Sequence, residues 1–291
     1  MSNSIGLNST NDFHIRPAVA QDIRVLYDFV EWEGWNPGLD DAWALIEGML
    51  DSLFVGVLEG EIIGSVAITY YSTGFAYISF VIVHPKFRGH ASYGFRLWNW
   101  ALKQVGTRNI IIDTMPGRDK LCRKLGFKQS DLFCAYYFEG HSQTQLSDHG
   151  LIFPVQDFLE EVLAYDAPFF PGERYAYMKA WLSMPCAKAL LWKDGDTICG
   201  YGLIRKALQG YRIGPLYADT LETARHLFLA LIADFPNELI SLSMPLNSPF
   251  TEPLVEEFQL RVQCELQRLY LKSPLDIPYE KIAAITNFTF G

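Results

Sequence analysis

Apolar residues along the first half of the chain alternate between helical and strand-like spacing. An apolar position every three or four residues, typical of amphipathic helices, occurs over residues 22–30, 40–50, 93–105 and 120–125. Short apolar runs of strand length lie at residues 53–58, 62–70, 77–83, 110–112 and 133–138. The first two runs meet at Glu59-Gly60-Glu61, which favours a hairpin turn. This order predicts a mixed α/β domain over residues 14–140.

The second half repeats the same order. Two strand-like runs, 190–193 and 198–206, flank a turn, and a further run at 211–217 precedes a helical pattern over 221–233. A repeat of about 130 residues indicates duplication of a whole domain. The identities are few, and the alternative is that two unrelated α/β domains share this order. We therefore expect a second, degenerate domain over residues 151–291.

Polar segments lie outside these two patterned regions. Residues 1–13 predict a flexible leader without the apolar core of a secretory signal. Residues 141–150 have no apolar periodicity and predict a linker between the domains.

Composition narrows the class of protein. A hydrophobic content of 49% can fill one or two cores, and no apolar run approaches the roughly 20 residues of a membrane span. The net charge of −9 disfavours a nucleic-acid partner, whose binding needs a basic surface. The 5 cysteines lie far apart without metal-ligand spacing, which predicts no metal site and a cytoplasmic location.

The junction between the strand at 77–83 and the helix at 93–105 carries the clearest chemical signal. A helix N-terminus exposes unpaired N–H groups and partial positive charge, so it can hold an anion. Gly89, Ala91 and Gly94 leave room for phosphate to approach the main chain, and Arg88 adds a positive charge. Diphosphate is the expected ligand, although small residues also occur at such junctions for steric reasons alone.

Several motifs in this region resemble one known family. The motif Val83-His-Pro-Lys-Phe-Arg-Gly-x-Ala-x-Tyr-Gly-x-x-Leu97, preceded by Gly60-Glu61-x-x-Gly64 and followed by Lys124-Leu-Gly-Phe127, resembles the GNAT superfamily of acyl-CoA N-acyltransferases. The loop Gly34-Trp-Asn-Pro-Gly38 and the segment Ala284-Ile-Thr-Asn-Phe-Thr-Phe-Gly291 resemble tandem acetyltransferases of the YitH type.

The resemblance implies a fold and an activity. It implies two tandem GNAT-like domains of the α/β (α+β) class, each a mixed, mostly antiparallel sheet flanked by helices. It also implies an enzyme that uses acetyl-CoA as co-substrate and transfers acetyl to a primary amine of a small molecule by direct attack. The alternatives are a non-catalytic acyl-CoA-binding or regulatory protein, or an enzyme that acts on a protein or peptide amine.

The resemblance also assigns the coenzyme residues. The main chain of Val81 and Val83 is expected to bind the pantetheine arm like an added strand. The loop expected to hold the diphosphate consists of Arg88, Gly89, His90, Ala91, Ser92, Tyr93 and Gly94. This sequence departs from the family there, because the loop is one residue longer and Ala91 replaces the usual middle glycine.

The catalytic residues can be assigned less directly than the coenzyme residues. Cys122 occupies the place of the tyrosine that usually protonates the leaving thiolate, and it can equally be a buried apolar residue. The strand at 77–83 has no carboxylate, so Asp113 and Glu33 are the candidates for the base; Asp113 could instead cap the following turn. Glu31, Trp35 and Asn36 are expected to bind the substrate, with Trp32 and Trp35 either covering an amine or packed in the core.

The second half lacks a comparable loop. At its strand-to-helix junction there is no arginine, and Asp219 and Glu222 are expected to cap the helix and repel diphosphate. We expect this half to complete the amine pocket, with Tyr217, Asp219 and residues 165–174 as lining, or to be purely structural.

Overall fold

A computed structural model describes residues 12–71, 74–89, 92–139, 151–170 and 172–289. In the first half the elements are β1 (Phe13–Pro17), α1 (Ile23–Trp32), α2 (Asp41–Met49), β2 (Leu53–Leu58), β3 (Glu61–Tyr70), β4 (Phe75–Val83), α3 (Tyr93–Val105), β5 (Asn109–Thr114), α4 (Lys120–Lys124) and β6 (Lys128–Glu139). In the second half they are β7 (Ile152–Pro154), α5 (Leu159–Asp166), α6 (Tyr175–Leu182), β8 (Ala187–Asp194), β9 (Thr197–Lys206), β10 (Tyr211–Ala218), α7 (Leu221–Ile232), β11 (Leu239–Pro245), α8 (Thr251–Phe258), β12 (Arg261–Tyr270) and β13 (Ile282–Ala284). Within these described ranges, no helix combines the length and apolar character needed to cross a membrane.

All the strands in the described ranges belong to one continuous sheet. Their order is β1-β2-β3-β4-β5-β12-β6-β11-β10-β9-β8-β7, and β13 pairs with β10. Among these described strands, β4 with β5 and β10 with β11 run parallel, and the other pairs are antiparallel. The mixed, mostly antiparallel sheet flanked by helices that the resemblance implies is therefore present, but the two halves share one sheet.

The two halves exchange strands at the centre of this sheet. Strand β12 of the second half lies between β5 and β6 of the first half, while β6 lies between β12 and β11 of the second half. Each half thus covers a strand edge of the other, and an uncovered edge would expose unpaired N–H and C=O groups.

A buried ion pair ties the exchanged strand to the first half. Arg268 of β12 donates two hydrogen bonds of 2.8 Å to Asp113 of β5, and both side chains are 2% exposed. The hydroxyl of Tyr77 on β4 also contacts this carboxylate. Burial, followed by the charge of Asp113, raises the pKa of Tyr77 well above its usual range, so this phenol stays protonated. The cluster joins three neighbouring strands.

The sheet separates two apolar layers in the first half. Tyr77, Phe80 and Ile82 of β4 face the layer that contains α1 and α2, together with residues of the second half. Ile78 and Val83 face the layer beneath α3. Gly64 of β3 permits this helix to lie close, because a Cβ atom there would come within 2.8 Å of Leu97 Cδ1.

Because of the strand exchange, we expect the first half not to fold by itself. A chain ending at residue 140 lacks β12 and β11, so β6 has no neighbour and the edge of β5 is uncovered. Size-exclusion chromatography with light scattering, and urea unfolding followed by circular dichroism, should find aggregates without a cooperative transition. Co-expression of residues 151–291 should restore a 1:1 complex. A monodisperse, cooperatively unfolding first half would contradict the exchange.

Removing the positive member of the buried ion pair should destabilise the protein strongly. The Arg268→Met variant leaves Asp113 buried with its charge uncompensated, which costs about 3–5 kcal/mol in the free energy of unfolding. Urea unfolding measures this loss, and adding Asp113→Asn should recover part of it. The control is Lys179→Met, which breaks an exposed ion pair with Glu160 and should leave the midpoint unchanged. A loss below about 1 kcal/mol for Arg268→Met would show that the pair is not essential.

Candidate active site

A wedge-shaped gap between two strands, the wedge, opens between β4 and β5. The two strands pair only where Phe75, Ala76 and Tyr77 meet residues 109–111, and they diverge beyond Tyr77. On the other side of β4, the His84 N–H donates to the Ile63 carbonyl of β3 at 2.8 Å. Because hydrogen-bonded positions alternate along antiparallel strands, the N–H and C=O groups of Val81 and Val83 point away from β3 into the wedge.

A β-bulge at Phe80 sets this geometry. Its φ is +53°, the register with β3 shifts between Ser65 and Ala67, and the Ser65 hydroxyl donates to the Phe80 carbonyl at 2.9 Å. The extra residue turns Phe80 and Ile82 onto the same face of the sheet as Tyr77. The side chain of Val81 remains 37% exposed, so the wedge is open at this position.

The N-terminus of α3 lies just beyond the wedge. Ser92, at the N-cap position, makes no capping hydrogen bond, and the first turn of α3 has no acidic residue. The side chain of Ser92 therefore does not satisfy the first N–H groups of α3. Gly89 has a φ of +76°, which favours glycine, and the Arg88 Nε–H donates to the Val83 carbonyl at 2.8 Å. His90 and Ala91, also predicted for this loop, lie outside the described residues.

Glu33 lies at the open end of the wedge, its mouth, and contacts one arginine that follows β4 and one that follows β5. Its carboxylate accepts from Arg88, which follows β4, and lies 3.7 Å from Arg118, which follows β5. Its side chain is 15% exposed. The structure therefore brings a predicted catalytic carboxylate against a predicted coenzyme-binding arginine, at the end of α1.

The other two predicted catalytic residues lie in enclosed positions. Asp113 is held by Arg268 and Tyr77 beneath the wedge, as described above. Cys122, on α4, is half-buried and packs against the apolar layer beneath α3. Burial, followed by the neighbouring Asp119, raises the pKa of the Cys122 thiol, which keeps its proton at neutral pH. The roles of both residues in proton transfer stay predictions.

The predicted substrate residues form the loop after α1. The rings of Trp32 and Trp35 are 51% and 41% exposed, so they are not core residues. Trp35 meets the ring of Phe80 edge-on at 5.8 Å. Asn36 is engaged by the second half, because it exchanges two hydrogen bonds of 2.8 and 2.9 Å with the main chain of Gln209. Glu31 is exposed.

The last described residues of the chain border the same wedge. The Phe288 carbonyl lies 3.1 Å from the Tyr77 hydroxyl, and the Thr289 carbonyl accepts from the Ser79 hydroxyl at 2.7 Å. The ring of Phe288 packs against Phe133 of β6. This contribution is not predicted from the sequence. The segment 284–291 resembles the family, but its apolar and polar residues do not indicate that it leaves the second half.

In the second half the corresponding wedge is filled by the chain itself. Strands β10 and β11 pair only up to Ile213 and Leu242. Beyond this point β13 pairs with β10 at Leu216 and Tyr217, and the Ile285 N–H donates to Ser243 of β11 at 2.9 Å. Main-chain groups that face this second wedge are therefore hydrogen-bonded to the chain itself.

The helix after this second wedge is also capped. Thr220 accepts from the Thr223 N–H at 3.1 Å, and Glu222 lies in the first turn of α7. Asp219, expected to share the capping, instead accepts from Lys281 at 2.9 Å and from Tyr165 at 3.2 Å. The helix is capped, as the sequence predicts, but the capping group is the Thr220 hydroxyl and not the carboxylate of Asp219.

The segment 165–174 and Tyr217 form a buried polar cluster in the second half. Arg174 donates to Asp166 at 2.8 Å, and both side chains are almost inaccessible. Tyr217 stacks on Phe169 with ring centres 4.2 Å apart. A cavity of about 370 Å³ lies beside this cluster, with Glu160, Asp166 and Glu173 among its lining residues. Its place in an amine pocket stays a prediction.

Comparisons with known proteins agree with this architecture. Residues 20–127 match the model of the acetyltransferase (GNAT) family, and residues 162–283 match that of an acetyltransferase (GNAT) domain. The holothin acyltransferase of Pseudoalteromonas sp. (strain SANK 73390) is 27% identical over 221 residues, which cover 76% of this chain and 74% of that protein.

Two crystal structures share the fold. A candidate acetyltransferase from Pyrococcus horikoshii has a TM-score of 0.80 at 18% identity, over 100% of this chain and 99% of that one. A tandem GNAT protein from the clavulanic acid biosynthesis pathway has a TM-score of 0.62 at 12% identity, over 91% of this chain and 100% of that one. At these identities the likeness concerns the fold alone. The two family matches together cover about four fifths of the sequence, and this chain is accordingly a GNAT-type acyltransferase with two GNAT domains in tandem.

Proposed function

We propose that this protein transfers an acetyl group from acetyl-CoA to a primary amine of a small molecule, by direct attack in a ternary complex. The observation that carries this proposal is the wedge of the first half, where main-chain groups of β4 that do not pair with β5 lead to the N-terminus of α3, which Ser92 does not cap. A linear molecule with amide groups at one end and phosphates at the other fits such a site. Pantetheine joined to a diphosphate has this form.

In this proposal each part of the coenzyme has its own contacts. Val81 and Val83 hydrogen-bond the pantetheine amides as an added strand would. The amides of the loop from Gly89 to Gly94 hold the diphosphate, and the guanidinium of Arg88 neutralises it. Arg88 already contacts Glu33, so the phosphate oxygens share this arginine with the carboxylate.

The proposed chemical step needs one proton donor for the leaving sulfur. The amine nitrogen attacks the thioester carbonyl, a C–N bond forms, and the C–S bond breaks with its electron pair on sulfur. The nitrogen loses one proton to water, and the sulfur gains one from a donor that takes a proton back from water. Cys122 is the proposed donor, since its raised pKa keeps the thiol protonated. Glu33 and Asp113 are proposed to hold the two strands of the wedge, because their oxygens already accept from arginines.

The second half is proposed to complete the acceptor site rather than to bind a second coenzyme. Its own wedge is filled by β13, and the residues after β13 contact Tyr77 and Ser79 in the first half. These contacts border the wedge at Tyr77 and Ser79, short of Val81, and favour a small acceptor over a protein or peptide chain.

A non-catalytic acyl-CoA-binding function is the second candidate. One observation favours it: a half-buried cysteine occupies the position at which the family usually has a tyrosine. Coenzyme binding alone would need the same wedge and loop, so only turnover separates the two functions.

Substitutions in the loop should weaken coenzyme binding without unfolding the protein. Arg88→Ala removes the positive charge beside the diphosphate and should raise the Kd of acetyl-CoA about tenfold. Gly89→Glu should raise it further, because the new side chain is negative and the φ of +76° suits glycine. Isothermal titration calorimetry measures both, with thermal unfolding as the check of folding. The control Arg225→Ala, which breaks an exposed ion pair on α7, should bind normally. Normal affinity in both loop variants would show that the assigned loop is wrong.

Incubation with acetyl-CoA and a panel of primary amines should release CoA only when an amine is present. Chromatography quantifies free CoA, and mass spectrometry identifies the acetylated amine. Binding of acetyl-CoA without turnover on any amine would favour the non-catalytic alternative.

The same assay tests the proposed proton donor. Cys122→Ala should lower kcat by about 100-fold, the usual scale of general-acid catalysis, with the KM for acetyl-CoA unchanged. Cys122→Tyr, which introduces the family's usual residue, provides the matched comparison. An unchanged kcat in Cys122→Ala would remove this residue from the mechanism.

A further inference from the structure

Two indole rings stand at the mouth of the wedge with much of their surface exposed. Trp35 contacts Phe80, the residue that forms the bulge of β4. Trp32 contacts the imidazole of His84, the residue that follows β4, with ring centres 4.8 Å apart and planes at 78°. Both contacts are edge-on, so exposed indole surface remains for another flat molecule. Exposed tryptophans beside a concave site commonly mark a binding surface.

The loop that carries Trp35 is fixed by the second half. The Arg212 guanidinium donates to the carbonyls of Trp35 and Asn36 at 2.8 and 3.1 Å. Removal from water, followed by the nearby Arg205, lowers the pKa of Arg212 to about 10, so it is still charged at neutral pH. With the Asn36–Gln209 bonds, these contacts hold the loop in one place. Trp35 is thus positioned before any acceptor arrives.

The described residues around this mouth offer no unoccupied proton acceptor. Glu33 accepts from Arg88 and forms an ion pair with Arg118, and Asp113 is enclosed by Arg268 and Tyr77. On α1, Glu31 lies about 130° around the helix from the side on which Phe29 and Trp32 meet His84. The His84 Nδ1 accepts from the Lys86 N–H at 3.1 Å, which leaves the proton on its other nitrogen.

This arrangement discriminates between two kinds of amine. An alkylammonium of pKa about 10.4 is almost fully protonated at pH 7 and must lose a proton before its nitrogen can attack. Indole faces can bind such a cation, but they bind its unreactive form. An amine on an aromatic ring is neutral at pH 7, because its lone pair is delocalised into the ring. It needs no base before the attack and can stack on indole.

We propose that the acceptor of this site is a weakly basic amine attached to a flat aromatic or heteroaromatic ring, held between Trp32 and Trp35. The inference rests on the proposed acetyl transfer and names its substrate class. The neutral nitrogen attacks the thioester carbonyl and the electron pair of the C–S bond moves to sulfur. The nitrogen sheds its proton to water only after the C–N bond has formed, when it has become acidic, and the thiolate takes up one proton.

Aniline and benzylamine provide a matched pair of acceptors that differ mainly in the basicity of the nitrogen. With acetyl-CoA at pH 7, kcat/KM should be at least about tenfold higher for aniline than for benzylamine. For aniline it should vary little between about pH 6.5 and 8.5. For benzylamine it should rise about tenfold per pH unit, as the neutral fraction of the amine rises below its pKa.

Substitution of the indole tests where the ring binds. Trp35→Ala should raise the KM for aniline about fivefold, with the Kd of acetyl-CoA unchanged, and Trp35→Phe should recover part of the loss. The matched control is Trp43→Ala, which removes a tryptophan that is 37% exposed on α2 and should leave both constants unchanged.

The failures of the two proposals are distinguishable. Turnover of benzylamine at or above that of aniline, without its steep pH dependence, would mean that a base acts in the site and would overturn the aromatic-amine inference while leaving acetyl transfer intact. An unchanged KM for aniline in Trp35→Ala would overturn the assigned ring position. Binding of acetyl-CoA without turnover of either amine would overturn acetyl transfer itself, and the inference with it.

Discussion

Two parallel strands that diverge leave main-chain N–H and C=O groups that need partners elsewhere, because unpaired buried groups are costly. This protein meets the requirement differently in its two halves. In the second half β13 pairs along β10 and reaches β11. The same segment then continues to Tyr77 and Ser79 of the first half, where its described residues end short of Val81. One segment of chain therefore fills one wedge and borders the other, and only one of the two GNAT domains retains an open site.

The strand exchange makes the second half part of that site. Strand β12 covers β5, and its Arg268 compensates the charge of Asp113 beneath the wedge. The hairpin of β9 and β10 holds the loop that carries Trp35, through Gln209 and Arg212. The geometry around the wedge of the first half is thus set by contacts between residues more than 150 positions apart in the chain.

The elements that depend on local pattern are those that the sequence predicts well. The helices α3 and α7 and the hairpin of β2 and β3 follow from periodicity and turn residues, and the anion-binding loop follows from its resemblance to a family. The exchange of β6 and β12 does not, since an alternating strand pattern identifies a buried face but not the neighbouring strand. For the same reason the pairing of Asp113 with Arg268, the position of Phe288 beside the wedge and the hydroxyl cap of Thr220 were not predicted. Each depends on tertiary contacts or on a choice between adjacent polar residues.

A weakly basic amine is also a weak nucleophile, so a site built for it must gain its rate by other means than deprotonation. Holding the two reactants in the attacking geometry, and polarising the thioester carbonyl with fixed main-chain N–H groups, are the remaining contributions. Both demand rigid surroundings. Three features of this protein provide such rigidity. A buried ion pair joins the strands β4, β5 and β12, an arginine binds Glu33 at the mouth of the wedge, and hydrogen bonds from the second half hold the loop of Trp35. The absence of a carboxylate on β4 is then the expected consequence of an acceptor that arrives already neutral.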